Sequence, residues 1–409
     1  MVTIESAVKK SEKWRQAHAD WEPRLGAVLD VDDNEVRALD LDRGPLSGLA
    51  VGVKDVIDVA GMPTRNGSKT GSSAAPAAED ADVVAALRRA GASVVCKTAT
   101  TEFAFIDPTG TKNPFNPERT PGGSSSGSGA AVGAGLLDIA VGTQTAGSLC
   151  RPASYCGCVG FKPTFGTLST RGMTPLSPAF DTIGFIARTT ELADRAFAAC
   201  GGAPGTDVDL STLRIGLPPI DRNASMERSA VDALHGAAEA LRKSGAAVEP
   251  TMAELPFADV IADHRTVMLH EASRAHGALL ESGKLQPLFA RGLEEGLSIS
   301  EDSANAAFHR LQSAAQAFWQ DVAGFDLLIT PPVPGPAPMR AEGTGYQHLL
   351  TPWTVLGGPL LCLPWGTDDA GLPLSIMLAA PPQKDANVLG AGDALSRLAP
   401  VTPKPAPQA

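Results

Sequence analysis

The sequence predicts an α/β protein built on a large mixed, largely parallel twisted sheet covered by helices on both faces. Three observations carry this. Strand-length apolar runs alternate with segments of helical period along the chain, as βαβ units require. Several of those runs are apolar without interruption, as strands covered on both faces are. The chain, 409 residues with 43% hydrophobic and 19% charged content, is also long enough to bury such a core.

Taken in order, "SGLAVGVKDVIDVAG" opens as a strand that runs up to Lys54. "DADVVAALRRAGASVVCKTA" has helical period from about Asp80 to near Gly91, and a short apolar strand follows at Ser93–Cys96. "LLDIAVGTQT" and "CVGFKPT" read as buried strands, and "LRIGLPP" (213–219) as another. "SMERSAVDALHGAAEALRKSGAAVEP" reads as a helix and then a strand. From Phe257 to Asp321 the pattern is mostly helical, as a cap or an insertion would be, before "FDLLITPPVPGPAP" and "PLLCLPWGTDDAGLPLSIMLAA" return to strand and turn. No internal repeat interrupts this order. The expectation is one domain over residues 1–400, with a helical segment at about 257–321 and a disordered Pro-rich tail at 401–409.

Charge and composition exclude several classes of function. A net charge of −11 and no cluster of Lys and Arg leave no electrostatic footprint for nucleic acid or anionic lipid. The N-terminal stretch is polar from its third residue, and no apolar run reaches the ~18 residues of a membrane span. The expected location is the cytoplasm. The six cysteines, Cys96, Cys150, Cys156, Cys158, Cys200 and Cys362, are sparse enough to read as reduced thiols.

Chemistry concentrates in "TPGGSSSGSGAAVGAG" (120–135), four serines and six glycines that run directly into "LLDIAVGTQTAGSLCRPAS". A flexible linker would end in a break of composition, and here an apolar core strand follows. The glycines at 127, 129, 133 and 135 miss dinucleotide spacing, and G-x-x-x-x-G-K-[ST] is absent. Gly123 to Gly127 fits the G-x-S-x-G elbow, which requires a preceding strand and a histidine partner. "NPFNPERTPGG", with three prolines, supplies no strand, and all seven histidines (His18, His235, His264, His270, His276, His309, His348) lie outside 45–185. If a serine of this block is the nucleophile, histidine is not the expected base, and the remaining candidate is a lysine kept neutral by burial or a cationic neighbour. Lys54, at the end of the apolar "LAVGV", meets the sequence requirement; a solvated strand-end charge is the alternative. Cys150, Cys156 and Cys158 give C-x5-C-x-C with no fourth ligand, so no metal site is expected.

At these residues the chain resembles the amidase signature family. "GVKDVIDVAGMPT", "PGGSSSGSGAAVGAGLLDIAVGTQTAGSLCRPASYCGCVGFKPTFGTLS" and "FDTIGF" carry the resemblance over 45–185, and "PWTVLGGP" is similar to compact, malonamidase-like bacterial members. It implies a catalytic core at about 45–185 and a Ser-Ser-Lys triad: Ser148 as nucleophile, Ser124 as bridging serine on a cis Gly123–Ser124 peptide, and Lys54 as base. It further implies an oxyanion hole of backbone N–H groups from Thr145, Ala146, Gly147 and Ser148, with a helix starting near Gly147. Substrate contacts are expected from Arg151, which in malonamidase-like members faces a substrate carboxylate, and from Gly123 and Ser125; pairing of Arg151 with a core acid or carbonyl is the alternative. Thr143, Thr145 and Ser125 are candidates for added hydrogen bonds, and Asp55, Asp58 and Asp181 for structural acids near the site. Two departures stand out. Ala146 replaces the usual glycine, which matters if a positive φ is needed there, and Gln144 replaces the usual acid.

The implied activity is hydrolysis of C–N bonds in small or medium amides through an acyl-enzyme, extending to esters or carbamates, with no cofactor, a small-molecule substrate and, as in other members, a homodimer. Two alternatives remain open: a glutamine-hydrolysing amidotransferase subunit that works with partners, and a non-catalytic binding scaffold.

Overall fold

The computed structural model describes residues 9–220, 224–253, 256–401 and 405. Most of the 401–409 tail lies outside the described residues. The strands are β1 (Val28–Val31), β2 (Ala50–Lys54), β3 (Ser93–Thr98), β4 (Ile139–Gln144), β5 (Val159–Lys162), β6 (Thr182–Ala187), β7 (Arg214–Leu217), β8 (Ala247–Pro250), β9 (Leu327–Thr330), β10 (Leu360–Thr367) and β11 (Pro373–Ala379). The helices are α1 (Lys10–Leu25), α2 (Asp33–Ala38), α3 (Asp82–Arg89), α4 (Ser126–Gly133), α5 (Cys150–Tyr155), α6 (Thr190–Ala199), α7 (Arg228–Lys243), α8 (Phe257–His276), α9 (Pro287–Leu297), α10 (Glu301–Asp321), α11 (Leu350–Val355) and α12 (Asp385–Ser396). None of these helices is long and apolar enough to cross a membrane.

All the described strands join one sheet in the order β1-β3-β2-β4-β6-β5-β10-β11-β9-β7-β8. The expected large mixed sheet is present, but its parallel character is confined to two wings. β2 runs parallel to β3 and β4, and β7 to β8 and β9, while the six other ladders are antiparallel. An apolar period fixes which residues are buried and carries no information on the direction of the neighbouring strand, so the sequence overstated the parallel share.

Alternating residues feed opposite faces of the sheet. Val51, Val53, Ile139, Val141, Leu361 and Leu363 pack with apolar residues of α3, α6, α7 and α12 on one face. Ala50, Ala140, Cys362 and Met377 pack with α1, α4, α5 and α11 on the other. This two-sided cover is why the strands read as unbroken apolar runs.

The parallel wing places the site. In open α/β sheets the crevice beyond the carboxyl ends of parallel strands is where ligands bind. Here the ends of β2 and β4 carry Lys54 and Thr143, and the chain leaving β3 holds Ala99, whose carbonyl accepts from Gly127 N at 2.9 Å. The glycines of 120–135 serve close packing. A Cβ on Gly127 would lie 2.4 Å from the Ala27 carbonyl oxygen, one on Gly129 2.9 Å from the Pro152 oxygen, and one on Gly133 2.5 Å from the Cys156 oxygen. Gly129 and Gly133, four apart on α4, let it lie directly on α5. Backbone atoms cannot move aside as a flexible side chain can. Gly133→Ala is expected to lower unfolding free energy by about 1–3 kcal/mol in urea denaturation. Gly110→Ala, where nothing lies within 4 Å of the new Cβ, is expected to stay within about 0.5 kcal/mol of the parent.

Candidate active site

Three buried segments converge beyond the parallel strand ends. Lys54 is fully buried, and its Nζ lies 2.6 Å from Ser124 Oγ and 2.6 Å from Thr143 Oγ1. Both neighbours are hydroxyls, and neither carries a charge to hold the ammonium form. Burial pulls the amine from 10.5 to about 7, with the negative charge of Asp181 opposing this and the positive charge of Arg151 assisting. Lys97 on β3 shows the contrast. Equally buried, it sits 3.2 Å from Asp55 Oδ1 and also donates to the Ile57 carbonyl at 2.7 Å. Two adjacent strands thus bury one paired lysine and one unpaired lysine.

The Gly/Ser loop is fixed from several sides. The Gly123–Ser124 peptide is cis, in agreement with the resemblance. Ser124 O accepts from Thr101 N at 3.2 Å, and Ser125 N donates to Ser148 O at 3.1 Å. Ser125 Oγ lies 3.4 Å from both the amide nitrogen and the carbonyl oxygen of Thr143, tying the loop to the end of β4. Lys54, Ser124 and Ser148, the three residues expected to act together, therefore lie in one neighbourhood. The expected helix begins at Cys150 instead of near Gly147, and its first turn is marked by Arg151 N donating to Gly147 O at 3.0 Å.

Arg151 is buried. Its Nε and Nη2 donate to the Gly123 carbonyl at 3.0 and 2.6 Å, and its Nη1 to the Gly345 carbonyl at 2.9 Å. It has no carboxylate partner among the described residues, so of the two sequence expectations the contacts to protein carbonyls are the ones present. Gly123 is equally enclosed: a Cβ there would lie 2.7 Å from Thr344 Cγ2.

The turn 145–148 presents its amides freely. Leu149 N and Cys150 N donate to Gln144 Oε1 at 3.1 and 3.0 Å. The N–H groups of Thr145, Ala146, Gly147 and Ser148 meet no protein acceptor among the described residues. Thr145 Oγ1 donates to Asp181 Oδ1 at 2.6 Å, and Asp181 Oδ2 accepts from Leu176 N and Ser177 N. Burial pushes the Asp181 carboxyl up to about 6, against these three hydrogen bonds. Ala146 is not among the non-glycine residues with positive φ, so the replaced glycine imposes no strain.

Sequence reasoning missed the roles of His264 and Thr354. His264 Nε2 lies 2.8 Å from the Thr145 carbonyl, and Thr354 Oγ1 bonds both the Ala146 carbonyl and Gln144 Nε2. Partners this far apart along the chain leave no local pattern. Cys150, Cys156 and Cys158 are buried free thiols, and no group of three metal-ligating side chains occurs among the described residues.

The sequence model of the Amidase family matches residues 30–389. A 2-amino-5-chloromuconic acid deaminase of Comamonas testosteroni is 33% identical over 94% of this chain and 91% of its own length. A glutamyl-tRNA(Gln) amidotransferase subunit of Thermus thermophilus is 32% identical over 94% of this chain and 92% of its own. Among solved structures, the native peptide amidase of Stenotrophomonas maltophilia superposes with TM-score 0.81 at 27% identity, covering 97% of this chain and 94% of that one.

Asp55→Ala would leave the Lys97 ammonium buried without its counter-charge. The expected loss is about 3–5 kcal/mol in chemical denaturation, and a loss below about 1 kcal/mol would remove the ion pair from the account of the fold.

Proposed function

Because the chain belongs to the amidase family, we propose that Ser148 is its nucleophile, Ser124 the proton relay and neutral Lys54 the base. The chain is a hydrolase of amide C–N bonds; the assignment of roles rests on one observation, a buried amine 2.6 Å from Ser124 Oγ with no carboxylate partner among the described residues. An amine near pKa 7 is substantially unprotonated at neutral pH. With one N–H donated to Thr143, its lone pair is available to the Ser124 hydroxyl hydrogen.

Lys54 takes the proton of Ser124 as Ser124 takes that of Ser148, and Ser148 Oγ bonds to the substrate carbonyl carbon. The carbonyl oxygen becomes an oxyanion facing the free N–H groups of 145–148, each such donor contributing about 3–4 kcal/mol to lowering the barrier. The tetrahedral intermediate breaks its C–N bond, the relay returns the proton to the leaving nitrogen, and the acyl group stays on Ser148. Water then attacks the acyl-enzyme, giving up its proton through the same relay and releasing the acid.

The proposed substrates are small amides, with acidic acyl groups favoured and esters and carbamates sharing the same acyl chemistry. Two observations support the acidic preference: a relative is named for a muconic acid, and Arg151 is a buried cation with no carboxylate partner among the described residues. The same positive charge helps keep Lys54 neutral. We place the enzyme in the cytoplasm and expect a homodimer. A second reading draws on the glutamyl-tRNA(Gln) amidotransferase relatives: the relay would release ammonia from glutamine for a partner. Turnover of simple amides by the isolated chain supports the first reading, and turnover only with added partners supports the second.

A fluorophosphonate that phosphonylates active serines, followed by peptide mapping, is expected to mark Ser148. Ser148→Ala should abolish the label and Lys54→Ala strongly weaken it; label elsewhere overturns the assignment. In the wild type, kcat/KM is expected to fall tenfold per pH unit below about 7 as Lys54 gains its proton, and to level off above. A profile flat down to about pH 4 excludes lysine as the base.

A further inference from the structure

The turn that presents the four free amides is held from behind by two side chains of the C-terminal half. His264, on α8, meets the Thr145 carbonyl at 2.8 Å. A carbonyl has no hydrogen to give, so the ring carries its proton on Nε2 and donates it. Burial pulls this imidazole down to about 4, which keeps it neutral across the working range, and Phe180 packs against the ring with centroids 4.4 Å apart. Thr354, on α11, accepts from Gln144 Nε2 at 3.0 Å, and its one hydroxyl hydrogen goes to the nearer of two carbonyls, that of Ala146 at 2.5 Å, with Leu350 O of its own helix at 3.3 Å. Both side chains are buried.

A trans peptide points its C=O and the following N–H in opposite directions. Among the described residues only Gly123–Ser124 is cis. Fixing the Thr145 carbonyl toward α8 therefore turns the Ala146 N–H away from α8, and fixing the Ala146 carbonyl toward α11 turns the Gly147 N–H away from α11. These are two of the amides without a protein acceptor. We propose that His264 and Thr354 are positioning residues that aim the Ala146 and Gly147 amides at the oxyanion. The Gln144 carboxamide completes the arrangement. By donating to Thr354 Oγ1 it leaves that hydroxyl hydrogen for the Ala146 carbonyl, while its oxygen accepts from Leu149 and Cys150. A carboxylate at 144 has no hydrogen to donate and would compete for the Thr354 hydroxyl.

The proposal rests on Ser148 as nucleophile, and its test separates the two. Thr354→Val removes the hydroxyl at nearly constant shape and Thr354→Ser restores it; His264→Leu removes the donor and His264→Gln restores an N–H. The readouts are kcat and KM on an amide the wild type turns over, and Ki for a trifluoromethyl ketone with the same acyl group, whose adduct with serine carries the oxyanion. Misaimed amides are expected to lower kcat about 10–100-fold in Thr354→Val and His264→Leu. KM should stay within about threefold, Ki should rise in proportion to the kcat loss, and the Ser and Gln variants should recover most of it. The proposal is overturned if the Val and Leu variants keep kcat and ketone Ki near wild type, if KM rises in step with the kcat loss, or if the conservative variants are as impaired as the others. A wild type unlabelled at Ser148 overturns the nucleophile assignment itself, an outcome distinct from a labelled, active wild type whose Val and Leu variants are unimpaired.

Discussion

A buried amine with no carboxylate in hydrogen-bond contact among the described residues is the constraint around which the rest of the structure is arranged. Lys54 ends a fully buried strand, and its neighbours at 2.6 Å are two hydroxyls. In the unfolded chain this amine holds its proton up to about 10.5, and in the folded chain it releases it near 7. Between those values the unfolded state binds more protons, so this group's contribution to stability rises with pH across that window and its penalty is full below pH 7. The fold tolerates the penalty, on the order of a few kcal/mol, because the two faces of the sheet bury so much apolar surface. Lys97 shows that the same sheet can house a lysine differently: given Asp55 at 3.2 Å, a buried amine becomes half of an ion pair.

Holding hydroxyls against that amine requires backbone to approach backbone. Gly127, Gly129 and Gly133 allow α4 to lie against Ala27, Ala99, Pro152 and Cys156 with no room for a Cβ. The Ser148 carbonyl receives Ser125 N, and the Gly123 carbonyl receives two N–H groups of Arg151. Arg151 thus does two things through one position: its hydrogen bonds fix the residue before Ser124, and its charge disfavours a second positive charge at Lys54. The close approach of the two helices and the low basicity of the amine follow from the same packing.

How much of this the sequence disclosed depended on how local each cause is. The strand ending at Lys54, the helix at 82–89 and the long helical segment are set by periods within a dozen residues, and they were legible. The absence of histidine in 45–185 left Lys54 as a candidate beside a solvated strand-end charge, and the resemblance over that stretch brought it together with Ser124 and Ser148. The helix at Ser126–Gly133 was not legible, because a run this rich in glycine and serine has poor helical propensity and is held by contacts with segments far along the chain. Strand direction was overstated for a similar reason: period reports burial and not pairing. His264 and Thr354 had no local signal, since each acts on a carbonyl more than a hundred positions away.

Those distant contacts also explain why alanine is acceptable at 146. A glycine is required in a turn when the chain must take a positive φ. Ala146 does not take one, so its peptide planes must be set by something other than conformational freedom. The flanking carbonyls provide it, one bonded to an imidazole of α8 and the other to a hydroxyl of α11, with Gln144 fixing that hydroxyl in turn. Permissiveness in the backbone has been replaced by restraint from side chains. The segment from 257 to 355, where the sequence offered least, thus shapes the turn with the free amides, while the segment from 45 to 185 supplies the buried amine and the hydroxyls beside it.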